Sequence, residues 1–423
     1  MLQVSFLREN KERVLEGLDK RNFKATHLVE DAIATDDERR KIQFELDENL
    51  AQMNKISKEI GLLMKEGKKE EAEAAKAKTA EYKENSHTLK QQLDEVEQKL
   101  LNILYLIPNI PYETVKAGVS AEDNETIYQS HDVEGLGEGA IPHWELAKKY
   151  NLIDFELGVK IAGAGFPVYL GKGARLQRAL VQYFLDKNVD AGYTEVNPPH
   201  VVNEASGYGT GQLPDKEGQM YFINEDNLYL IPTAEVPVTN IYRDVILEEK
   251  ELPVKNTAYS QCYRREAGSY GAHVRGLNRL HQFEKVEIVR IEHPENSYTA
   301  LEEMVNHVKS ILEDLELPYR ILRLCGGDMG FTSAMTYDFE VWSAAQEKWL
   351  EVSSVSNFET FQANRLKCRY KGSEGKAQLV HTLNGSAMAL PRIMAALLEN
   401  NQTENGIKIP AKIAEYARFD MID

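Results

Sequence analysis

The stretch AEAAKAKTAEYKENSHTLKQQLDEVEQKLLNIL (residues 72–104) contains no proline or glycine and carries small or apolar residues at every third or fourth position. These positions are Ala72, Ala75, Thr79, Tyr82, Ser86, Leu89, Leu93, Val96, Leu100 and Ile103. The alternation of three-residue and four-residue steps is typical of a coiled-coil seam. The stretch therefore predicts one long helix that packs along a single face.

A second stretch of similar spacing lies immediately upstream. Its positions are Ile42, Leu46, Leu50, Met53, Ile56, Ile60 and Leu63. The segment KEGKK (65–69) separates the two stretches, and Gly67 offers the turn. We therefore predict an antiparallel coiled-coil hairpin, an arm over about residues 37–104 and about 45 Å long. On pattern alone a dimerisation coiled coil remains the alternative, although the small residues near the tip and the short turn favour a hairpin arm. The lysines near the tip are nearly balanced by glutamates, so charge alone does not indicate contact with RNA.

The character of the sequence changes near residue 108, where Pro108 and Pro111 end the helical region. The glycine-bearing range 109–140 predicts a linker. Beyond it, helices are predicted near 173–188, 296–315 and 385–401, and strands at 229–232, 283–291, 319–324 and 339–342. Because strands follow one another with few intervening helices, an antiparallel sheet is favoured. The predicted class is α+β, with domains at 1–108 and 141–423.

The composition excludes several kinds of protein. The 423 residues carry a net charge of −17, which disfavours nonspecific nucleic-acid binding but permits a specific RNA ligand. Cys262, Cys325 and Cys368 lie far apart, which argues against a structural zinc site or a disulfide framework. No apolar run approaches the roughly 18 residues of a membrane span, and charged Arg8 and Glu9 interrupt any signal-peptide core. We expect a cytoplasmic protein without a membrane segment.

The richest group of functional residue types lies in YRREAG (263–268) and RGLNRLHQFEKVEIV (275–289). We predict a strand that carries Arg264 and Glu266, whose side chains then share one face because strand side chains alternate. An arginine fork can hold a phosphate, and the aromatic ring of Phe283 suits stacking on an adenine. Taken alone, an Arg–Glu pair on a strand is more often a surface ion pair.

A second group consists of EVSS (351–354) and Arg392. A carboxylate beside a hydroxyl is a hard-oxygen site that suits Mg²⁺ on triphosphate oxygens. Without further context, the same four residues would be interpreted as the end of a strand followed by a turn.

Together these segments resemble the seryl-tRNA synthetases of bacteria, which are class II aminoacyl-tRNA synthetases. GYTEVNPP (192–199) resembles motif 1, YRREAG through HQFEKVE resembles motif 2, and HTLNGSAMALPR (381–392) resembles motif 3. IPTAEVPVTN (231–240) resembles the serine-binding segment, and EVSSVSN (351–357) resembles the metal and ATP segment. The resemblance implies a class II catalytic domain over 141–423, with an antiparallel sheet flanked by helices, and a tRNA-binding arm.

The resemblance also implies roles for individual residues. It assigns catalysis to Arg264, Glu266 and Arg392, and L-serine binding to Thr233, Ala234, Glu235, Arg264, Glu287 and Ser386. It assigns ATP binding to Arg264, Arg265, Glu266, Arg275, Leu280, Phe283, Glu351, Val352, Ser353, Ser354 and Arg392, and Mg²⁺ to Glu351 and Ser354. Physical chemistry supports such a pocket, because a site that hydrogen-bonds a substrate hydroxyl rejects analogues that lack it.

The implied function is the attachment of L-serine to tRNA(Ser) by a homodimer, through a seryl-adenylate made from ATP. Serylation of tRNA(Sec) is implied only where the organism has that tRNA. Two other functions are weighed against it. A carrier-protein amino-acid ligase would typically lack the long arm, and a non-enzymatic RNA-binding scaffold would not need the intact arginines and carboxylates.

Overall fold

A computed structural model describes residues 1–215, 217–266, 271, 274–372 and 375–423. They form two compact units, one of Met1–Leu18 with Phe23–Pro108 and one of Asp19–Asn22 with Asn109–Asp423. Among these residues, no helix combines the length and the apolar character needed to span a bilayer.

Helices account for nearly all of the N-terminal unit. They are α1 (Val4–Glu9), α2 (Lys11–Lys20), α3 (His27–Lys65) and α4 (Lys69–Leu104). The two long helices run antiparallel, because Asn49 near the middle of α3 bonds Ser86 of α4 while Glu38 lies 3.8 Å from Lys99. Gly67 has a φ of +75° in the turn between them. The predicted hairpin is confirmed, although α3 begins at His27 and not near residue 37.

The seam of the hairpin follows the predicted positions on α4, where Ala72, Leu93, Val96 and Leu100 are buried. On α3 one predicted position is wrong, since Leu50 is 36% exposed. Asn49 faces α4 instead and donates to the Tyr82 carbonyl and to Ser86 Oγ, both at 2.6 Å. A strict alternation of four-residue and three-residue steps from Ile42 leads to position 49 and not to position 50. The heptad register therefore places Asn49 in the seam, although Leu50 is the more apolar residue.

The strands lie in the second unit. They are β1 (Glu125–Gln129), β2 (Ile153–Asp154), β3 (Val168–Tyr169), β4 (Thr194–Glu195), β5 (Val201–Asn203), β6 (Phe222–Ile223), β7 (Leu228–Leu230), β8 (Ile246–Glu248), β9 (Val254–Tyr263), β10 (Gln282–Glu292), β11 (Tyr319–Arg323), β12 (Met335–Ser343), β13 (Lys348–Asn357), β14 (Arg369–Lys371), β15 (Ala377–Leu379), β16 (His381–Ala389), β17 (Gln402–Thr403), β18 (Gly406–Lys408) and β19 (Met421–Ile422).

One large sheet dominates, with the order β1-β11-β12-β13-β16-β10-β9-β4 among the described strands. Its neighbours pair antiparallel except at the edge, where β4 runs parallel to β9. The predicted antiparallel sheet is therefore confirmed. The smaller sheets are β2-β3, β5-β7-β6, β15-β14-β8 and β17-β18-β19.

The helices of the second unit are α5 (His143–Lys149), α6 (Phe155–Ile161), α7 (Gly171–Asp190), α8 (Glu204–Thr210), α9 (Glu235–Asn240), α10 (Ser297–Asp314), α11 (Thr360–Leu366), α12 (Leu390–Asn400) and α13 (Ala411–Ala417). Buried residues of α7, α10 and α12 form one core with the sheet, in which Val286 and Ile288 of β10 take part. Because side chains alternate along a strand, Lys285 and Glu287 point to the opposite face. That face carries the polar groups described below.

Two predictions about this unit need correction. The helix predicted at 385–401 begins only at Leu390, because His381–Ala389 forms β16. β16 pairs with both β10 and β13 and is mostly buried, so its composition lacks the polar alternation of an exposed strand. In addition, the range 109–140 is not all linker, since β1 pairs with β11 at the sheet edge.

Candidate active site

Two buried carboxylates lie at the centre of the polar face. Glu287 on β10 is 1% exposed and stands opposite Ser386 on β16. Thr233 Oγ1 donates to Glu287 Oε2 at 3.1 Å, and Lys285 Nζ lies 2.6 Å from the same oxygen. The first residue of α9, Glu235, accepts a hydrogen bond of 2.6 Å from Gln362 Nε2. The structure thus brings the predicted residues Thr233, Glu235, Glu287 and Ser386 to one sheet face.

The surroundings of the two carboxylates make their ionisation unfavourable. Burial, and then the nearby negative charge of Glu287, raise the pKa of Glu235 to about 7. Burial also raises the pKa of Glu287, although Lys285 and the Thr233 hydroxyl oppose that shift. A buried acidic pair of this kind is stabilised by an added cation. The pocket therefore suits a ligand that carries an ammonium group and a hydroxyl.

Arg264 lies next to this pocket. Its guanidinium stands over the ring of Phe283, 5.3 Å from the centroid, and its charge lowers the pKa values of Glu235 and Glu287. The prediction that Arg264 and Glu266 lie on a strand is wrong, because β9 ends at Tyr263 and Glu266 has a φ of +46°. Glu266 Oε2 pairs with Arg279 Nη1 at 2.6 Å. Residues 267–270 and 272–273, which include Gly268 of YRREAG, lie outside the described residues.

A second arginine is fixed by backbone carbonyls. Arg392, in the first turn of α12, donates from Nη1 to the Glu351 carbonyl at 2.7 Å and from Nε to the Asn278 carbonyl at 3.0 Å. Its Nη1 lies 3.8 Å from Glu351 Oε2. The guanidinium is therefore oriented by Glu351 of β13 and by the Asn278 carbonyl while part of it stays exposed, which suits the binding of a polyanion.

The predicted metal ligands lie on β13. Ser354 is paired in register with Asp338 of β12. Burial above all, and then the negative charge of Glu351, raise the pKa of Asp338, and the Ser354 hydroxyl opposes that shift. Asp338 Oδ1 is buried and has no hydrogen-bond partner. Three hard-oxygen donors thus lie close together, which fits Mg²⁺. No set of three or more His, Cys, Asp or Glu side chains in the described part of the chain has metal-site geometry by itself.

Several of the predicted ATP-binding residues are buried, or are bonded to the protein through their own polar groups. Leu280 and Val352 are buried in the main hydrophobic core. Ser353 is also buried, and its hydroxyl donates to the Ser386 carbonyl at 2.5 Å. The side chain of Arg265 is exposed, while its backbone N–H donates to the Gln219 carbonyl. Such residues shape the site without pointing a free polar group into it.

The remaining predicted residues are placed as follows. Ala234 is fully buried and packs in a small cluster with Val238, Ala258 and Val289. Arg275 is exposed, and its guanidinium lies 4.7 Å from the centroid of the Trp144 ring. Ala234 therefore contributes packing next to Thr233 and Glu235. Arg275 instead packs against Trp144 of α5.

Sequence reasoning missed two residues of the site. Gln362 donates to Glu235 and accepts from Thr382 Oγ1 at 2.7 Å, but it lies on α11, 127 residues from Glu235. No sequence signal links them. Asp338 could have been found, because the alternation in TYDFEVW (336–342) places Asp338 and Glu340 on the same strand face.

Family models match both parts of the chain. The seryl-tRNA synthetase N-terminal domain matches residues 1–111, and the class II core domain of the tRNA synthetases for G, H, P, S and T matches residues 221–401. Among curated relatives, the serine–tRNA ligase of Salinibacter ruber is 51% identical over 424 residues, covering 100% of this chain and 99% of the relative. That of Chlorobium chlorochromatii is 44% identical over 427 residues, covering both chains fully.

Solved structures give the same result. Seryl-tRNA synthetase from Pyrococcus horikoshii, complexed with ATP, superposes with a TM-score of 0.90 at 32% identity, covering 100% of this chain and 99% of that one. The cytoplasmic enzyme from Naegleria fowleri, in complex with AMP, has a TM-score of 0.86 at 24% identity over 100% and 99% of the two chains, and supports the fold alone.

Proposed function

The chain belongs to the seryl-tRNA synthetase family of class II aminoacyl-tRNA synthetases, and from this premise we propose that it activates L-serine with ATP and transfers it to tRNA(Ser). The observation that carries the proposal is the buried acidic pocket of Glu235, Glu287 and Thr233. Its two carboxylates can accept the serine ammonium group, and the hydroxyls of Thr233 and Ser386 are polar partners of a size that suits the serine side chain.

In the first step, the serine carboxylate attacks the α-phosphorus of ATP, and pyrophosphate leaves. Arg264 contacts the ring of Phe283 and is near enough to the acidic pocket to lower the pKa of Glu235, so it can bridge the serine carboxylate and the α-phosphate. Phe283 and Arg392 are proposed to hold the adenine, and Arg392 also neutralises the leaving pyrophosphate together with Arg275. No protein nucleophile is required, because positioning and electrostatic stabilisation lower the barrier.

Divalent metal is proposed at Glu351 and Ser354, with Asp338 beneath them. When bound there, Mg²⁺ would supply positive charge to the phosphate oxygens of ATP. The buried and unpartnered Oδ1 of Asp338 supports this assignment, because a carboxylate oxygen without a donor is costly in a protein interior. Glu266, which pairs with Arg279, is also proposed to contact ATP.

In the second step, a hydroxyl of the 3′-terminal adenosine of tRNA attacks the adenylate carbonyl, and AMP leaves. The α3–α4 arm is proposed to bind tRNA(Ser) mostly through its shape and backbone, as is usual for helical RNA. A homodimer formed through the motif 1 segment around β4, a cytoplasmic location, and serylation of tRNA(Sec) where that tRNA exists belong to the same proposal.

The test is pyrophosphate exchange into ATP, without tRNA, with each of the twenty amino acids. We expect exchange with serine alone, because only serine combines the ammonium group with a small primary hydroxyl. Exchange with alanine or glycine would move the assignment to a carrier-protein ligase. Exchange with none of the twenty would contradict the adenylation step and leave RNA binding as the remaining function.

A further inference from the structure

Beneath the turn that carries Arg275, helix α5 presents a fully buried histidine. His143 Nδ1 lies 2.6 Å from Glu399 Oε1, and neither side chain has exposed surface. On the other side of the ring, the backbone N–H of Leu277 donates to Nε2 at 2.9 Å. Because a backbone N–H can only donate, Nε2 carries the lone pair and the ring proton sits on Nδ1, toward Glu399.

The turn is fitted closely to this histidine. Gly276 has a φ of +67°, and a Cβ at this position would come within 2.2 Å of His143 Nε2. The neighbouring residue of α5, Trp144, lies under the guanidinium of Arg275 at 4.7 Å. The two side chains of α5 therefore hold neighbouring residues of one turn. His143 accepts from the backbone N–H of Leu277, and Trp144 contacts the guanidinium of Arg275.

Glu399 also connects the turn to Arg392. Both residues lie on α12, with Arg392 in the first turn and Glu399 near the end. Gln346 Nε2 donates to Glu399 Oε1 at 3.2 Å, and its Oε1 accepts from Asn278 Nδ2 at 2.7 Å. The Asn278 carbonyl in turn accepts from Arg392 Nε at 3.0 Å. These hydrogen bonds form a network, here called the α12 circuit, that links the turn at Leu277 and Asn278 to Glu399 at one end of α12 and to Arg392 at the other.

Glu399 is held ionised by this circuit. Hydrogen bonds from the His143 ring and backbone, and from Ser343 Oγ, keep its pKa below the usual value despite burial. The backbone N–H of Ala345 adds a further donor at 3.2 Å. A buried carboxylate with this many donors is rigid, because each donor would lose its partner if the group moved.

We propose that His143 and Trp144 are positioning residues of the ATP site, which place Arg275 and the Leu277–Asn278 backbone relative to Arg392. This inference rests on the proposed function, because it assigns Arg275 and Arg392 to the triphosphate. Neither α5 residue touches substrate. Their effect reaches ATP only through the turn, so their loss weakens ATP binding and leaves the acidic pocket unchanged.

A matched pair of substitutions separates this role from simple packing. In H143N the amide reaches as far as Nδ1 and keeps the bond to Glu399, but nothing accepts from Leu277. In H143Q the amide reaches as far as Nε2 and keeps an acceptor for Leu277. H143Q in turn loses the donor to Glu399, so each variant loses the ring and one of its two side-chain hydrogen bonds. Serine-dependent pyrophosphate exchange gives KM for ATP and for serine, and thermal unfolding gives the stability of each variant.

We expect H143N to raise KM for ATP about fivefold to tenfold, the effect of one lost hydrogen bond, with KM for serine within about twofold. H143Q should recover most of the affinity for ATP at a similar melting temperature. Equal increases in both variants, equal increases for ATP and serine, or no increase in H143N would each overturn the role of His143.

A second pair keeps the proposal testable should both histidine variants fail to fold. W144F retains an aromatic face for Arg275, whereas W144L retains only apolar volume. We expect W144L to raise KM for ATP about threefold to tenfold and W144F to stay near wild type. The effects of W144L and R275A should not add in the double variant, because one acts through the other. Additive effects would contradict the proposal.

The wild-type protein is assayed first. Absence of serine-dependent exchange there would refute the proposed function itself, independently of any α5 variant. Normal wild-type exchange with unchanged KM for ATP in H143N and W144L would refute only the positioning role.

Discussion

Glu235 and Glu287 show how a single residue's surroundings define what it can bind. Both are buried in a pocket where Lys285 supplies one positive charge and Arg264 a second, more distant one. Burial, which these positive charges offset only in part, raises the pKa of both carboxyls. In the proposed function, the ammonium group of serine supplies the missing positive charge, so protonation of the pocket should compete with binding of serine.

This competition predicts a pH dependence. Since burial and Glu287 raise the pKa of Glu235 to about 7, the carboxyl is increasingly neutral below that pH and attracts the ammonium group less. We expect kcat/KM for serine in the exchange assay to rise with pH through about 7 and then to level off. KM for ATP, measured over the same range, serves as the control.

The matched variant is E235Q, which can still accept from Gln362 but carries no charge. Its kcat/KM for serine should be lower and should lack the inflection near pH 7. An unchanged inflection in E235Q would show that another group is responsible for it.

The same raised pKa has a consequence for stability without serine. A carboxyl whose folded-state pKa lies above its unfolded value of 4.5 contributes its full stabilisation below that pH, and the contribution is lost as the pH rises through about 7. The difference between E235Q and wild type in the free energy of unfolding should therefore shift in favour of E235Q as the pH rises. A difference that is constant with pH would contradict the raised pKa.

In the proposed mechanism, the adenylation step depends on Arg264. R264A should abolish serine-dependent exchange while leaving tRNA binding nearly intact, because the α3–α4 arm is untouched. R264K keeps the charge but not the planar fork, so we expect only slight recovery. Gel-shift binding of tRNA is the control, and exchange retained in R264A would remove this arginine from the mechanism.

At the scale of elements, the α3–α4 hairpin is held by its seam. Leu46 is 8% exposed and Leu50 is 36% exposed, although both are leucines on the same helix. L46A should destabilise the hairpin locally by about 2–3 kcal/mol, whereas L50A should cost less than about 1 kcal/mol. Hydrogen exchange of arm amides in the full chain measures both. Equal acceleration of exchange in the two variants would contradict the seam that includes Asn49.

At the junction of β16 and α12, the sequence of the strand resembles that of the helix that follows it. The residues NGSAMALPR (384–392) contain several good helix formers, yet they run as a strand to Ala389. Pairing with β10 and β13 supplies backbone partners on both sides, and Pro391 then lies in the first helical turn, where its missing N–H costs nothing. This arrangement places Ser386 beside Glu287 and Arg392 beside Glu351.

At the scale of the whole molecule, the two compact units predict two separable activities. Asn49 and Ser86 are hydrogen-bonded across the hairpin, so residues 50–85 can be replaced by a short Gly–Ser linker without pulling the helices apart. We expect serine-dependent exchange within about twofold of wild type and serylation of tRNA(Ser) reduced at least about a hundredfold, the loss of about 2.7 kcal/mol or more of binding.

In the control variant, the same linker replaces only residues 66–68 at the tip of the hairpin. This replacement leaves the seam intact, so the control should charge tRNA normally. Equal loss of exchange and charging after the longer deletion would show that the arm is needed for folding. Unchanged charging would show that it does not bind tRNA.

By itself, the sequence determined the features that depend on short-range periodicity. The heptad spacing predicted the hairpin, its turn at Gly67 and most of its seam, because neighbouring turns of a helix meet at a fixed interval. The antiparallel character of the sheet followed from the succession of strands. Through the resemblance of short motifs, the sequence also indicated which side chains to look for in the site.

The tertiary structure alone decided which distant residues meet. Gln362 reaches Glu235 across 127 residues, and His143 reaches Glu399 across 256. It also decided that residues 264–266 leave the strand and that 381–389 join one. Such contacts depend on how helices pack against a sheet, and local propensity carries no information about a partner that chain folding brings near from hundreds of residues away.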